Sequence, residues 1–230
     1  MDIPLPWLDP DALAFPDPAT ALQEPNGLLA VGGDLRPERL LCAYQHGIFP
    51  WYEANQPPLW WSPDPRMVLF PGELHLSRSL RKFCRQTELT VSSDTDFNAV
   101  LQACAGSRRG VTGTWLSPAM RRAYSRLHAF GYAHSVEVRD NGRLVGGLYG
   151  VAMGMVFFGE SMFSHVDNAS KLALATLVPA LAAAGYRLID CQVSSPHLRS
   201  LGAREIPRSD FMRFLPATVN VPKPPPWPLQ

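Results

Sequence analysis

The sequence predicts an α+β protein in which a small, irregular N-terminal domain (residues 1–65) precedes a larger domain (residues 66–230) built on a mixed sheet. Three observations support this prediction. Prolines and aromatic residues crowd the first 65 positions. From Arg66 onward, apolar residues recur first at helical and then at strand spacing. The chain has 230 residues and is 46% apolar, which is enough for a sizeable core.

Composition also excludes several classes of protein. The longest apolar run, Leu172–Ala184, is shorter than the roughly 20 residues that span a bilayer. The N-terminus, Met1–Pro10, is proline-rich and acidic, unlike a signal peptide. We therefore expect a cytoplasmic protein without a membrane partner. We also expect no metal, since the six histidines and the four cysteines lack metal-ligand spacing.

The N-terminal domain is expected to be rich in loops, with one short helix. That helix is Pro37–Gln45, because proline is favoured in a first turn and Gly47 supplies a stop. Several aromatic side chains in this domain must either pack against the rest of the protein or bind a ligand: Phe49, Trp51, Tyr52, Trp60 and Trp61.

The first part of the larger domain alternates short apolar runs with helices. Met67–Phe70 and Leu89–Val91 are candidate strands. Three stretches have helical spacing, and the last has serine as a cap and proline in its first turn. They are Ser77–Arg85, Asp96–Ala105 and Ser117 to about Phe130.

The second part of this domain predicts its architecture most directly. A hairpin turn at Asp140-Asn141-Gly142 joins two strands, and a long apolar helix capped by Asn168 precedes a last strand. The predicted strands are His134–Val138, Leu144–Val151, Met155–Phe163 and Leu188–Val193, with helices at Asn168–Ala184 and Ser209–Leu215. This order is typical of the acetyltransferase-type fold, whose splayed sheet opens a cleft for an acyl donor and an amine. The analogy favours acyl transfer without proving it.

Polar side chains inside two apolar strands are the candidate catalytic groups. Asp190 and Gln192 lie two apart on one strand and should share a face. A buried carboxylate is costly unless it is hydrogen-bonded, and burial raises its pKa, which suits proton transfer. Glu160 is a lone acid beside Gly159 and Ser161. The alternatives are structural: Asp190 fastening a loop at a strand end, and Glu160 pairing with an arginine.

Phosphate-binding motifs are missing from the expected positions. Gly146–Gly150 is glycine-rich, but it lies between strands and no lysine follows it. The stretch before the long helix, Ser164–Lys171, lacks the glycines with which acetyltransferases bind the pyrophosphate of coenzyme A. We therefore expect an acyl donor other than a coenzyme A thioester.

Several longer segments resemble the leucyl/phenylalanyl-tRNA–protein transferases, and the resemblance covers residues 13–214. The matching segments are Glu24–Asp34, Gly47–Trp51, Trp60–Arg66, Gly159–Ser164, Asn168–Lys171, Leu188–Val193 and Gly202–Arg208. The resemblance implies transfer of Leu or Phe, and less readily Met, from Leu-tRNA or Phe-tRNA. The acceptor is the α-amine of a protein beginning with Arg or Lys, and the product carries an N-terminal degradation signal. No cofactor is implied, because the tRNA ester is already activated.

The resemblance also assigns roles to residues. Gln192 would hold the incoming amine, while Asp190 would either orient Gln192 or accept a proton through it. Glu160 would hold the acceptor or fix the donor. An apolar pocket for the donor side chain is implied at Leu148, Phe157, Met162, Leu174 and Leu177. Leu148 and Leu177 differ from many relatives, so the preference between Leu and Phe stays open.

Contacts with the tRNA complete the implied site. Trp51 and Trp115, assisted by Tyr44, would stack on the 3′-terminal adenosine. A basic helix would contact phosphates of the acceptor stem through Arg78, Arg81, Lys82 and Arg85. Two other functions remain open from the sequence: a peptidyl transferase that builds cell-wall cross-bridges from aminoacyl-tRNA, and a non-catalytic module that binds tRNA or peptide.

Overall fold

The computed structural model describes residues 5–53, 55–106, 116–222 and Trp227. Within these residues, no helix is long and apolar enough to cross a bilayer. The chain forms two sheets, one of four strands between residues 7 and 61 and one of seven strands between residues 66 and 206. The proposed domain boundary near residue 65 remains a prediction.

The N-terminal segment is more regular than expected. Helix α1 (Pro37–Gln45) is as predicted, and the chain leaves it through Gly47 at a φ of 66°. Four short strands were missed, because two to five residues are too few to show a period of two. Their order is β1-β2-β4-β3, with bounds Trp7–Leu8 (β1), Leu28–Gly32 (β2), Phe49–Pro50 (β3) and Leu59–Trp61 (β4).

The larger sheet has the predicted mixed topology, with strand order β11-β5-β10-β9-β8-β7-β6. Only β9 and β10 pair in parallel, and the other neighbours are antiparallel. The predicted hairpin turn joins β7 to β8, with Asn141 and Gly142 both at positive φ. The strands are Arg66–Leu69 (β5), Thr90–Ser93 (β6), Ala133–Asp140 (β7), Arg143–Met153 (β8), Val156–Ser164 (β9), Leu188–Gln192 (β10) and Arg204–Ile206 (β11).

Helices cover this sheet, and most of their N-terminal caps follow the sequence. Ser77, Asp96 and Ser117 each accept a hydrogen bond from a backbone N–H three residues on. The helices are Arg78–Gln86 (α2), Phe97–Cys104 (α3), Pro118–Ala129 (α4), Ala169–Ala183 (α5), Pro196–Ser200 (α6), Arg208–Phe214 (α7) and Pro216–Val219 (α8).

The cap of α5 differs from the prediction. Asn168 occupies the cap position, but it is left-handed (φ 64°) and its side chain makes no capping bond. Instead, the Ser164 hydroxyl accepts from the backbone N–H of Ser170 at 2.8 Å. The start of α5 is thereby fastened to the end of β9.

The two faces of the large sheet carry separate hydrophobic clusters. Neighbouring residues alternate between them: Phe157 and Ile189 belong to one cluster, and Phe158 and Leu188 to the other. The first cluster includes the apolar sides of α2 and α5. The second includes those of α3 and α4 and most of the buried N-terminal segment. The N-terminal segment therefore packs on the face opposite α2 and α5.

Candidate active site between strands β9 and β10

The only parallel pair of strands in the large sheet separates at its C-terminal end. Pairing between β9 and β10 stops at Phe158–Asp190. Each strand then has an irregularity in register, at Glu160 against β8 and at Cys191 against β5. A β-bulge re-aims the side chains around it, and bulges are frequent next to active sites. Glu160 and Gln192 lie just beyond the last pair and face each other across the opening.

Glu160 is the centre of a hydrogen-bond network. The hydroxyls of Tyr44 and Tyr124 approach Oε1 at 2.8 Å and Oε2 at 2.7 Å, and they lie 2.7 Å from each other. Burial raises the pKa of Glu160 to about 7, although the hydrogen bonds from Tyr124 and Tyr44 oppose that rise. Burial also raises the pKa values of both phenols well above their usual range, so both keep their protons.

The ring of hydroxyls around Glu160 can accommodate the proton of its carboxyl group. Three oxygen–oxygen contacts of 2.7–2.8 Å close a ring through Glu160, Tyr44 and Tyr124. The two phenols supply only two protons, so one contact lacks a proton when Glu160 is ionised. A protonated Glu160 supplies the third, and every contact in the ring is then a hydrogen bond.

Gln192 is oriented at both its backbone and its side chain. Its Nε2 donates to Glu160 Oε1 at 2.8 Å, and its backbone N–H donates to Asp190 Oδ1 at 2.9 Å. Because the side-chain nitrogen of Gln192 is bound to Glu160, its side-chain oxygen can accept a hydrogen bond from a ligand. The residue has a φ of 62°, which is rare for a residue other than glycine and recurs at functional sites.

Asp190 was predicted to share a face with Gln192 and either to orient it or to accept a proton through it, and this role stays a prediction. It is fully buried and forms a bidentate ion pair with Arg66, at 2.8 Å to Nε and 2.7 Å to Nη2. Arg66 also donates to the Gly47 carbonyl oxygen and lies between the rings of Phe49 and Phe211. The irregularity at Cys191 removes the simple alternation on which the shared face depended. These contacts hold the end of β10 in place, and the bond to the backbone N–H of Gln192 is compatible with the orienting role.

The five residues expected to form a donor pocket lie together on the α5 side of the sheet. Leu148, Phe157, Leu174 and Leu177 are all at most 5% exposed and belong to one cluster. Met162 is partly exposed, packs against that cluster and pairs in register with Leu148. In this state the pocket side chains pack against one another, and Met162 is the member in contact with solvent. Their role as a pocket stays a prediction.

The three aromatic residues expected at the adenosine have different surroundings. Trp51 is 49% exposed, and its ring lies 5.5 Å from that of Trp61. Tyr44 is fully buried and its hydroxyl is bonded to Glu160, so its ring presents no open face to a base, and its assisting role stays a prediction. Trp115 lies outside the described residues. Of the three, Trp51 alone is seen to be available for stacking.

The four basic residues predicted to contact tRNA share one side of α2. Arg78, Arg81, Lys82 and Arg85 are all exposed, and their spacing places them in one stripe along the helix. Within the described part of the chain, none of the four forms an ion pair. The stripe is therefore free to meet an anion.

Comparison with known sequences decides the family. A family model described as leucyl/phenylalanyl-tRNA protein transferase matches residues 68–216, and a model for the N-terminal domain of the same family matches residues 33–64. The chain belongs to the leucyl/phenylalanyl-tRNA protein transferase family. A relative of that name from Azotobacter vinelandii is 61% identical over 97% of this chain and 99% of its own length. Another, from Pseudomonas fluorescens, is 60% identical over the same shares.

Among solved structures, a GCN5-related N-acetyltransferase from Kribbella flavida aligns with a TM-score of 0.40 and 13% identity. The alignment covers 71% of this chain and 58% of that one. The assignment to the leucyl/phenylalanyl-tRNA protein transferase family therefore depends on sequence. The mixed sheet with one parallel pair is observed directly in this chain.

Two residues of the candidate site, Tyr124 and Arg66, were not predicted from the sequence. Tyr124 lies on the buried side of α4, among Met120, Ala123 and Leu127. Its hydroxyl is a polar group on an apolar helix face, and this was the one feature of the sequence that could have indicated a role in the site. Arg66 was included in a family segment, but its partner Asp190 is 124 residues away. No group of three or more potential metal ligands occurs among the residues that the structure describes.

Proposed function

We propose that this protein transfers Leu or Phe, and less readily Met, from aminoacyl-tRNA to the N-terminal α-amine of proteins beginning with Arg or Lys. The membership of the family, over nearly the whole chain, carries this proposal. The product would carry an N-terminal degradation signal. Because charged tRNA is found in the cytoplasm, we place the reaction there.

The reaction is aminolysis of an ester. The neutral amine attacks the ester carbonyl carbon, a C–N bond forms, the C–O bond to the ribose breaks, and the ribose oxygen leaves with a proton. The ester already carries the required activation, so the protein must chiefly position the two reactants and manage one proton.

Gln192 is the residue we assign to the amine. Its Nε2 is bound by Glu160, so its carbonyl oxygen can accept a hydrogen bond from the amine and direct the nitrogen lone pair at the ester. Glu160 positions Gln192 and, in its ionised form, can take up the proton that the amine loses. Asp190 acts indirectly, because it accepts a hydrogen bond from the backbone N–H of Gln192 and so holds that residue in place.

The opening between β9 and β10 is the place where we expect donor and acceptor to meet. The proposed donor pocket lies on the α5 face, whereas Glu160 with its tyrosines belongs to the face that carries α4 and the N-terminal segment. An ester reaching into the pocket would pass the gap where pairing ends, and there Gln192 is within reach. This arrangement accounts for the polar residues Glu160 and Gln192, which lie just beyond the last β9–β10 pair.

A transfer assay tests the proposal. Purified protein is mixed with radiolabelled Leu-tRNA or Phe-tRNA and with three peptides that differ only in an N-terminal Arg, Lys or Ala. We expect label on the Arg and Lys peptides and at least tenfold less on the Ala peptide. Equal labelling of all three would contradict the acceptor specificity. Transfer only to a cell-wall peptide would indicate the cross-bridge enzyme, and binding of tRNA without transfer would indicate a binding module.

A further inference from the structure

A groove of about 530 Å³ lies between the N-terminal segment and α4, outside the site described above. Arg36 and Tyr52 line one wall. The other wall is a stripe along the helix, Ala119, Arg122, Ala123 and Arg126, in which two small residues keep the groove open between two guanidinium groups. We call this feature the α4 groove.

The α4 groove is positively charged. Its one acidic lining residue, Asp34, already pairs with Arg36 and Arg39. Arg122 and Arg126 are exposed, and neither forms an ion pair with another described residue. Outside the described residues, Asp2 is the only acidic residue of the sequence.

The spacing of Arg122 and Arg126 argues against an ordinary solvated helix face. Like charges four residues apart repel one another and destabilise a helix. Here they lie beside the groove, and no described carboxylate forms an ion pair with either of them. An anionic ligand between the two guanidinium groups would remove this cost. Guanidinium groups suit phosphate oxygens, because each presents several donors in a plane.

The location of the groove indicates which phosphates it receives. The inner side of α4 carries Tyr124, which is bonded to Glu160, so the groove is one helix away from the active site. Trp51, whose ring is exposed, is the residue before Tyr52 in the sequence, and Tyr52 lines the groove. An aromatic platform beside a basic groove is how proteins hold single-stranded nucleic acid. An acceptor beginning with Arg or Lys would be repelled.

We propose that the α4 groove binds phosphates of the single-stranded 3′ end of the donor tRNA through Arg122 and Arg126. This inference rests on the proposed function. It gives the donor two separate contacts, because the α2 stripe lies on the opposite face of the sheet. The α2 stripe would receive duplex phosphates, and the α4 groove would receive those nearest the ester.

The test compares two donors that differ in phosphates. Leucyl-adenosine has none, whereas a leucyl trinucleotide ending in CCA supplies those next to the ester. We expect the wild-type protein to have a higher kcat/KM with the trinucleotide. In the variant Arg122→Gln/Arg126→Gln this advantage should fall about tenfold, since charge-assisted hydrogen bonds are lost. The matched control is Arg143→Gln/Arg187→Gln, which removes two exposed charges that do not line the groove and should keep the advantage.

Salt dependence gives a second readout. Each phosphate contact on a single strand contributes about 0.7 to the slope of log affinity against log salt, so the groove variant should have a slope for the trinucleotide shallower by about 1.4. Equal losses with both donors, an unchanged slope, or a wild-type protein without preference for the trinucleotide would each overturn the inference. Failure of the wild-type protein to transfer from intact Leu-tRNA would instead refute the proposed function.

Discussion

Glu160 couples the protonation state of the site to pH. Burial of the carboxyl favours the protonated form and raises its pKa to about 7 from a usual value of 4.5, against the opposing effect of the hydrogen bonds from Tyr124 and Tyr44. Between these values the folded protein holds a proton that the unfolded chain has released. The free energy of unfolding should therefore fall as the pH rises across this window.

The substitution Glu160→Gln should remove this contribution. We expect urea unfolding at pH 5 and at pH 7 to show a smaller loss of stability in the variant than in the wild-type protein. Glu88→Gln, at an exposed position outside the site, is the control and should follow the wild-type protein. A variant that loses as much stability as the wild-type protein over this interval would show that Glu160 is ionised throughout.

Single residues were predicted with uneven success. Glu160 and Gln192 were identified because polar side chains interrupt apolar strands, and the structure brings them into contact. Their roles stay predictions. The partners Tyr44 and Tyr124 lie 116 and 36 residues from Glu160 in the sequence. Nothing local in the sequence indicates such a pairing, which depends on how α1 and α4 pack on the sheet.

At the scale of elements, the ion pair between Arg66 and Asp190 connects β5 to β10. Arg66 and Asp190 are both fully buried. Asp190→Ala would leave the guanidinium without its partner and should lower the free energy of unfolding by about 3–5 kcal/mol. Arg66→Met/Asp190→Leu, which removes both charges, should recover much of that loss. Chemical denaturation of the three proteins measures the difference, and a double variant as unstable as Asp190→Ala would contradict this account.

Elements with strong local features were predicted well. Helices α2, α3 and α4 lie close to their predicted bounds, the predicted cap Ser117 is observed at α4, and the β7–β8 turn has the expected positive φ at Asn141 and Gly142. The N-terminal strands and the irregularities at Glu160 and Cys191 were not predicted. A bulge depends on register against a neighbouring strand, and register is not visible in one sequence.

At the scale of the whole molecule, one hydrophobic cluster joins the N-terminal segment to the large sheet. Trp60 and Leu40 lie in the same cluster as Tyr124 and Phe158. The two parts should therefore unfold together, even though the sequence predicts two domains. Four of the six tryptophans lie in residues 1–65, so their fluorescence reports mainly on that part, while far-ultraviolet circular dichroism reports on the helices. We expect the unfolding transitions followed by fluorescence and by circular dichroism to coincide, and two separate unfolding midpoints would contradict a shared core.

The two basic surfaces on opposite faces make separable predictions about tRNA binding. Arg78→Gln/Arg85→Gln removes two charges from the α2 stripe. If this stripe contacts duplex phosphates, the slope of log affinity for tRNA against log salt should become shallower by about 1.8, since each contact contributes about 0.9. Arg143→Gln/Arg187→Gln again serves as the control. An unchanged slope in the α2 variant would show that the acceptor stem lies elsewhere.

The central claim is that Gln192, held by Glu160 at the end of the β9–β10 pair, positions the attacking amine. The most direct measurement is the single-turnover rate of transfer from bound Leu-tRNA to a peptide with N-terminal Arg in Gln192→Asn. Asn tolerates the left-handed backbone at this position, but it is one methylene shorter and withdraws the amide from Glu160 and the amine. We predict a rate about 100-fold lower, as expected for a reactant displaced by about 1 Å, with unchanged affinity for Leu-tRNA. A rate within twofold of the wild-type value would contradict the claim.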